Sequence, residues 1–236
     1  MERIQTMDSL TQRVFETLRT AIVSGELEPD TLHAVNSVAN TLGVSRTPTR
    51  EALIRLAEAG LVRFEPHRGF VVLRSTAEDL QEIFRIRLLT EVPSAHAAAT
   101  LVDDEGKAAL EADLEAMRLA AKAQDYHALL KADRGFHRTI MEISGNPRLA
   151  EFVDGLRDVV LTRGVSTAGI TREFDEIIAI HVAIRDDILA GDPVVAARSM
   201  RDHVSSTAHM LLTQEFGPEA AEGWDASTAR WPLPQL

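Results

Sequence analysis

The sequence predicts a mainly α-helical protein in two parts: an amino-terminal head of short helices closed by a β-hairpin, and a larger antiparallel all-α bundle. Three observations carry this prediction. From residue 77 onward, apolar residues recur at helical spacing between recognisable caps. Before that, "LVRFEPHRGFVVL" (61–73) sets two short runs of strand-forming residues around a Pro-His-Arg-Gly turn, the pattern of a hairpin. The charge also divides: of the net −11, residues 1–75 contribute nothing, with 9 basic and 9 acidic side chains, while residues 76–236 hold 16 and 27. A composition 45% hydrophobic and 26% charged is ordinary for a globular chain, and 236 residues suffice for a core.

The elements follow in order. In "LTQRVFETLRTAI" (10–22), Leu10, Val14, Leu18 and Ile22 stand at four-residue steps, which predicts an amphipathic helix ended by Gly25. "LEPD" (27–30) is a turn. Asn36 reads as the N-cap of a short helix that turns Val38, Ala39 and Leu42 inward and stops at Gly43. Ser45 caps the next helix, with Pro48 in its first turn, where a missing N–H matters little. Ala52, Leu53 and Leu56 face inward there, and Gly60 ends it before the hairpin. Further helices are expected over about 77–99, 104–123, 125–143, 147–166, 172–190 and 193–214. "ILAGDPVV" (188–195) marks one boundary, with Gly191 past a C-terminus, Asp192 as N-cap and Pro193 at N1. Residues 215–236 lack periodicity and read as a loose tail, with Trp224 and Trp231 able to dock. The expected domains are therefore 1–75, 76–214 and the tail 215–236.

The absence of cysteine excludes disulfides and thiolate metal sites and agrees with a reducing compartment. No basic segment precedes an apolar run, and no apolar stretch approaches the roughly 20 residues of a membrane span. The expectation is a cytoplasmic protein with no membrane partner.

In "NSVANTLGVSRTPTREALIRL" (36–56) two short helices are joined by "GVS". Their inward positions leave Arg46, Thr47 and Arg50 exposed at the start of the second helix, and Arg46 and Arg50, four apart, project together. In a helix-turn-helix this end enters the major groove, where arginine meets guanine edges and phosphates. Ser45 and Thr47 suit phosphates or bases. The hairpin is then a wing, with His67 and Arg68 at its tip and Gly69 permitting the turn. Two exposed arginines alone describe a solvated surface helix. The ordered set of helix, helix, arginine-bearing helix and hairpin predicts a winged helix-turn-helix on double-stranded DNA.

In "KADRGFHRTI" (131–140), Asp133 and His137 share a helix face, with Leu130, Ile140 and Met141 within a turn of them. His181 lies on a stripe with Ile177, Ile184 and Ile188, and His203 on one with Ala196, Met200, Thr207 and Met210. His209, beside Asp202, Ser206 and Thr213, reads as exposed. One inward histidine is ordinarily a core residue with a single hydrogen bond. Three with an aspartate call for a shared partner, because burying polar groups unpaired is unfavourable. A divalent metal serves all four, with Zn²⁺ as first choice and Ni²⁺, Mn²⁺ or Fe²⁺ as alternatives. Arg87, on a stripe with Leu80, Phe84 and Glu91, either pairs with Glu91 or offers its guanidinium to the carboxylate of an organic acid.

"LGVSRTPTREALIRLAEAGLV" followed by "PHRGFVV" closely resembles the amino-terminal domain of GntR-family bacterial transcription regulators over about residues 8–74. That resemblance implies DNA contacts from Ser45, Arg46, Thr47, Arg50, His67, Arg68 and Gly69. The sequence departs from the pattern at "EPD", where "xPG" is usual, and at "HAVNSVANTLG". "ADRGFHRTI", "SGNPRL", "IHVAIRDDILAGD" and "AARSMRDHV" resemble the FCD-type effector domain of the FadR subfamily over about residues 76–214. The likeness implies metal ligation by Asp133, His137, His181 and His203, an effector contact from Arg87, a small carboxylate effector rather than a fatty acyl group, and a homodimer on a pseudo-palindromic operator. The expected function is a DNA-binding transcription regulator, repressing by family habit. The alternative is a non-haem metalloenzyme built on the same aspartate and three histidines, as in manganese or iron superoxide dismutases, in which the head has no place.

Overall fold

In the computed structural model, the described residues are 7–74, 76–161, 167–169, 171–222 and 224. The chain divides into two compact units that meet in sequence at Thr76 and Ala77, with a segment beginning at Gly155 grouped with the first.

The head opens with α1 (Met7–Val23), which buries Val14, Leu18 and Ile22 and leaves Leu10 40% exposed, outside the stripe the spacing predicts. A two-residue strand, β1 (Leu32–His33), precedes α2 (Val35–Thr41) and α3 (Arg46–Glu58). The hairpin is β2 (Val62–Glu65) and β3 (Gly69–Val72). β3 is central, antiparallel to β2 through Phe64 opposite Phe70 and to β1 through Leu32 opposite Val71. β1 is too short for an alternation pattern, so nothing in the sequence announces it. Ala34, not Asn36, is the N-cap of α2: the chain leaves β1 extended at Ala34 and turns helical at once, which places Asn36 inside the first turn. Val14, Leu18, Ile22, Leu53, Leu56, Leu61, Phe70 and Val72 form the head's core.

The body consists of α4 (Ala77–Leu101), α5 (Asp104–Lys122), α6 (Tyr126–Ile143), α7 (Pro147–Leu161) as far as Asp154, α8 (Phe174–Leu189), α9 (Pro193–Phe216) and α10 (Pro218–Glu222). α4 packs chiefly on α9 and also on α6 and α8, while α5 lies against α6 and α8. Starts are set by side chains: Asp103 accepts from the Gly106 amide, Asp125 from Ala128, and Asp192 from Val194 and Val195. Gly135 in "DRGFH" lets α6 approach α5, since a Cβ there would lie 2.7 Å from Asp113 Oδ1. Thr139 donates to the other oxygen of Asp113 at 2.6 Å, which fixes how α6 presents Asp133 and His137.

Three expectations change. α8 begins at Phe174 rather than 172, because the Arg172 backbone is tied into a loop: its amide donates to Thr167 O (2.8 Å) and its carbonyl accepts from Gly169 (2.8 Å). α7 ends at Leu161, and the remainder of the expected 147–166 helix lies outside the described residues. Residues 215–222 and Trp224 are not a loose tail. α9 continues to Phe216, Gly217 turns the chain at φ +88°, and α10 packs on α9. Gln81 donates to Ala220 O (3.1 Å), and the Trp224 ring sits edge-on to Phe84. Trp231 lies outside the described residues.

Candidate nucleic-acid interface and metal centre

In the head, Ser45 takes the extended N-cap conformation, so the next residues emerge from the first turn of α3. Pro48 and Thr49 turn inward, and Ser45, Arg46, Thr47 and Arg50 stay exposed. A groove of about 480 Å³ lies between this helix end and the hairpin, lined by Arg46, Arg50, Phe64, His67, Arg68 and Gly69. Asn36, which falls where the sequence departs from the family pattern at "HAVNSVANTLG", also lines it. Ser45 and Thr47 stand beside Arg46 but outside the lining. The Arg50 guanidinium lies 5.4 Å from the Phe64 ring centroid, which steadies it without neutralising it. At the wing tip His67 has φ +59° and Gly69 +147°, and a Cβ on Gly69 would run into the His33 carbonyl. The tight turn therefore requires glycine, as the sequence suggests. The arrangement is an arginine-bearing helix start and a basic wing tip around one concavity.

In the body, α6, α8 and α9 bring His137, His181 and His203 together, each nearly or fully buried, with one nitrogen of each inside a 4.8 Å cluster. The hydrogen bonds decide which nitrogens face inward. His181 Nδ1 donates to the Ile177 carbonyl at 2.8 Å, so Nε2 carries the lone pair. That Nε2 lies 2.9 Å from Asp133 Oδ1. His137 Nδ1 sits 2.5 Å from Glu91 Oε2, which turns its Nε2 toward His203 Nε2, 3.2 Å away. A lone pair against a carboxylate oxygen, and two imidazole nitrogens against each other, are unfavourable unless a cation or proton stands between. Ligands each about 2.1 Å from one ion lie roughly 3 Å apart, close to the 2.9 Å and 3.2 Å of these two contacts, while the three imidazoles each place one nitrogen within 4.8 Å of the others. Burial, with His181 and His137 beside it, pushes the His203 imidazole well below its ordinary range and favours the neutral, ligating form. The donor set fits a divalent metal.

Glu91 is marked by the sequence only as a helix partner for Arg87, four residues away. It is 1% exposed and joins two elements: Arg87 Nε donates to its Oε1 at 2.5 Å while its Oε2 faces His137. Arg87, 4% exposed, thus makes the pair with Glu91 that its helix spacing allows. The Glu91–His137 contact joins helices 46 positions apart, which no local spacing reveals. His209 is exposed, as its stripe indicates. Among the described residues no helix is long and apolar enough to cross a membrane.

Comparison with known proteins places these two sites in context. Residues 10–72 match the model of the bacterial regulatory proteins of the gntR family, and residues 82–206 match the FCD domain. An uncharacterized HTH-type transcriptional regulator in an unstable DNA locus of Streptomyces ambofaciens is 30% identical over 198 residues, 81% of this chain and 80% of that protein. A probable D-xylose utilization operon transcriptional repressor of Paenarthrobacter nicotinovorans is 29% identical over 184 residues, 78% of this chain and 80% of that one. The solved structure of E. coli McbR/YncC superposes with a TM-score of 0.76 at 25% identity, covering 87% of this chain and 98% of that one.

Proposed function

The chain belongs to the gntR family of bacterial transcription regulators and carries an FCD domain, and from that premise we propose an operator-binding repressor whose hold on DNA is set by a small organic acid bound at a metal centre in the body. The observation that supports this is the convergence of three buried imidazoles from three helices, with His181 Nε2 facing the Asp133 carboxylate. Surface histidines or a routine core would not align lone pairs in this way.

A divalent ion held by Asp133, His137, His181 and His203 would supply a Lewis-acidic point for an oxygen of the acid. The chain's own residues do the rest. Glu91 fixes the tautomer and ring orientation of His137. Arg87 holds Glu91 in place, and an acid that meets Arg87 shares or replaces its bond to Glu91. Ser45, Arg46, Thr47 and Arg50, with His67, Arg68 and Gly69 at the wing, contact the operator. Two copies of the chain read a pseudo-palindromic site. The relative named as a repressor supports repression as the sign. A metalloenzyme has no use for the head and finds no support in the domains that match.

The test uses the full-length protein and DNA from upstream of its own gene. Elemental analysis of gently purified protein should find about one divalent ion per chain, lost in His181→Ala. Fluorescence anisotropy should then show operator affinity changing when acid is added to metal-loaded protein but not to chelator-treated protein. By linkage, saturating operator must change the acid's affinity by the same factor. Protein that holds no metal and takes none up on titration would end this reading, as would operator affinity indifferent to every acid tried.

A further inference from the structure

Two buried arginines in the body differ in how their charge is met. Arg87, 4% exposed, lies 2.5 Å from the carboxylate of Glu91, itself 1% exposed. Arg172, 6% exposed, has no such counter-charge among the described residues: Nη1 donates to Thr207 Oγ1 (3.1 Å) and Nη2 to Ser206 Oγ (2.8 Å). Its ionic neighbour Glu176 is 3.6 Å away with a side chain 56% exposed, and its buried Nε has no hydrogen-bond partner. Hydroxyls orient a guanidinium but do not neutralise it. Burial draws Arg172 below arginine's ordinary range, with Glu176 only partly opposing. A buried cation of this kind is unfavourable unless an anion meets it.

The position adds a second argument. Thr207 follows His203 by four residues on α9, so the hydroxyl that Arg172 meets belongs to a residue one helical turn, about 6 Å of rise, from His203 on the same helix face. Ser206 also donates to the His203 carbonyl at 3.1 Å, linking the two places through one turn. The Arg172 backbone is pinned by its bonds to Thr167 and Gly169, so the cation is held in place before any ligand arrives. The sequence spacing predicts Arg172 at the start of a helix. Its place in a loop frees the side chain to reach α9.

We propose that Arg172 anchors the far carboxylate of a short linear dicarboxylic acid whose near end faces His137, His181 and His203. This rests on the reading of the body as an acid-binding domain and names the ligand class: two acidic groups, one for each end of the site. A monocarboxylate satisfies the histidine end alone and leaves Arg172 with only the exposed Glu176 as counter-charge. Arg172 thereby becomes a selector between acids of one charge and two.

The experiment is calorimetric titration of full-length protein with linear dicarboxylates from oxalate to adipate, each beside the monocarboxylate of equal chain length, and with inorganic phosphate. At least one dicarboxylate should bind about tenfold or more tightly than its monocarboxylate, the scale of a charged hydrogen bond. Arg172→Gln, which keeps a donor for Ser206 and Thr207, should erase that advantage while leaving monocarboxylate affinity and metal content in place. Arg172→Lys should restore part of it. A purely structural arginine would change thermal stability in Arg172→Gln but not the ratio between the two acid classes. An advantage that survives in Arg172→Gln overturns the proposal. So does a wild-type protein that prefers no dicarboxylate, or one that binds phosphate in their stead. Elemental analysis of the same samples separates the two readings: wild-type protein without metal refutes the metal centre, while the wild-type versus Arg172→Gln contrast on identical acids still decides the role of Arg172.

Discussion

In the head, Arg46 and Arg50 stand in solvent on α3, charged and without a buried acidic partner, around a groove that is concave but open. In the body, Arg87 and Arg172 are buried, as are the three histidines. On the proposed function, the same side-chain chemistry serves two kinds of ligand. A polyanion as large as DNA must be met at the surface, by groups whose substitution leaves the fold alone. A small ligand is met inside, by groups whose polar atoms the fold must otherwise satisfy. Function and stability should separate in the head and be inseparable in the body, and substitutions can test that contrast directly.

The largest effect is expected at Glu91. Glu91→Ala leaves the Arg87 guanidinium buried without its carboxylate and removes the acceptor facing His137. Breaking a buried pair by removing one partner destabilises by about 3–5 kcal/mol, readable by urea denaturation. Replacing both partners, as Arg87→Met with Glu91→Leu, should recover much of that stability while metal affinity stays low. A loss below about 1 kcal/mol in Glu91→Ala would mean that water reaches the pair, contrary to the 1% exposure of Glu91.

Metal removal comes next. A ligand that binds only the folded state adds about 2.7 kcal/mol at a hundredfold excess over its Kd, so chelation should lower the melting temperature of the body and not that of the head. Acid should act in the same direction. His203 is held well below its ordinary 6.5, so the unfolded chain takes up its proton first. Stability is then fully present above about 6.5 and falls as pH drops below it. A body melting temperature that rises on acidification from pH 7 to 5.5 would contradict the neutral, ligating His203.

How much of this could be read in the sequence follows the same division. Head residues are legible because exposure at a helix start is local: once Ala52, Leu53 and Leu56 are turned inward, Arg46, Thr47 and Arg50 must face out. In the body, the stripe of Ile177, Ile184 and Ile188 places His181 in the core from spacing alone. What the histidines meet there is set between helices. Glu91 on α4 reaching His137 on α6, and Arg172 reaching Ser206 and Thr207 on α9, depend on packing that no single periodicity encodes. Trp224 is similar: its docking edge-on to Phe84 is a tertiary contact, so its surroundings read as a tail in a one-dimensional pattern.

A moderate effect belongs to Arg50 in the head. Arg50→Ala should weaken operator binding by about 1–3 kcal/mol if the side chain reads a base edge. Folding stability should change by only about 0.5 kcal/mol, because the lost contact is an exposed stacking on Phe64. Anisotropy at fixed salt and urea denaturation measure the two quantities. A stability loss comparable with that of Glu91→Ala would erase the distinction between the two regions.

The smallest effect tests the contrast on one structural role, the helix N-cap, present in both units. In the body, Asp192 spends its carboxylate on the backbone, accepting from Val194 and Val195 amides at 3.1 Å each. In the head, Ser45 holds the N-cap backbone conformation of α3, φ −75° and ψ 164°, yet its hydroxyl makes no capping hydrogen bond. Thr49 Oγ1 donates to the Ser45 carbonyl at 3.0 Å, a bond that alanine at position 45 retains. Removing a working cap destabilises by about 1 kcal/mol. Asp192→Ala should therefore lose about that much, and Ser45→Ala should stay within about 0.3 kcal/mol, since the bond that makes a cap stabilising is not formed. On the proposed function, the uncommitted hydroxyl beside Arg46 donates a hydrogen bond to a DNA phosphate, with a net value of about 0.5–1.5 kcal/mol. Ser45→Ala should thus weaken operator binding by about that amount, almost equally across operator sequences, because a phosphate carries no base identity. Equal stability losses in the two alanine variants would show that Ser45 caps α3 in solution, and its place in the DNA interface would then rest on its neighbours alone.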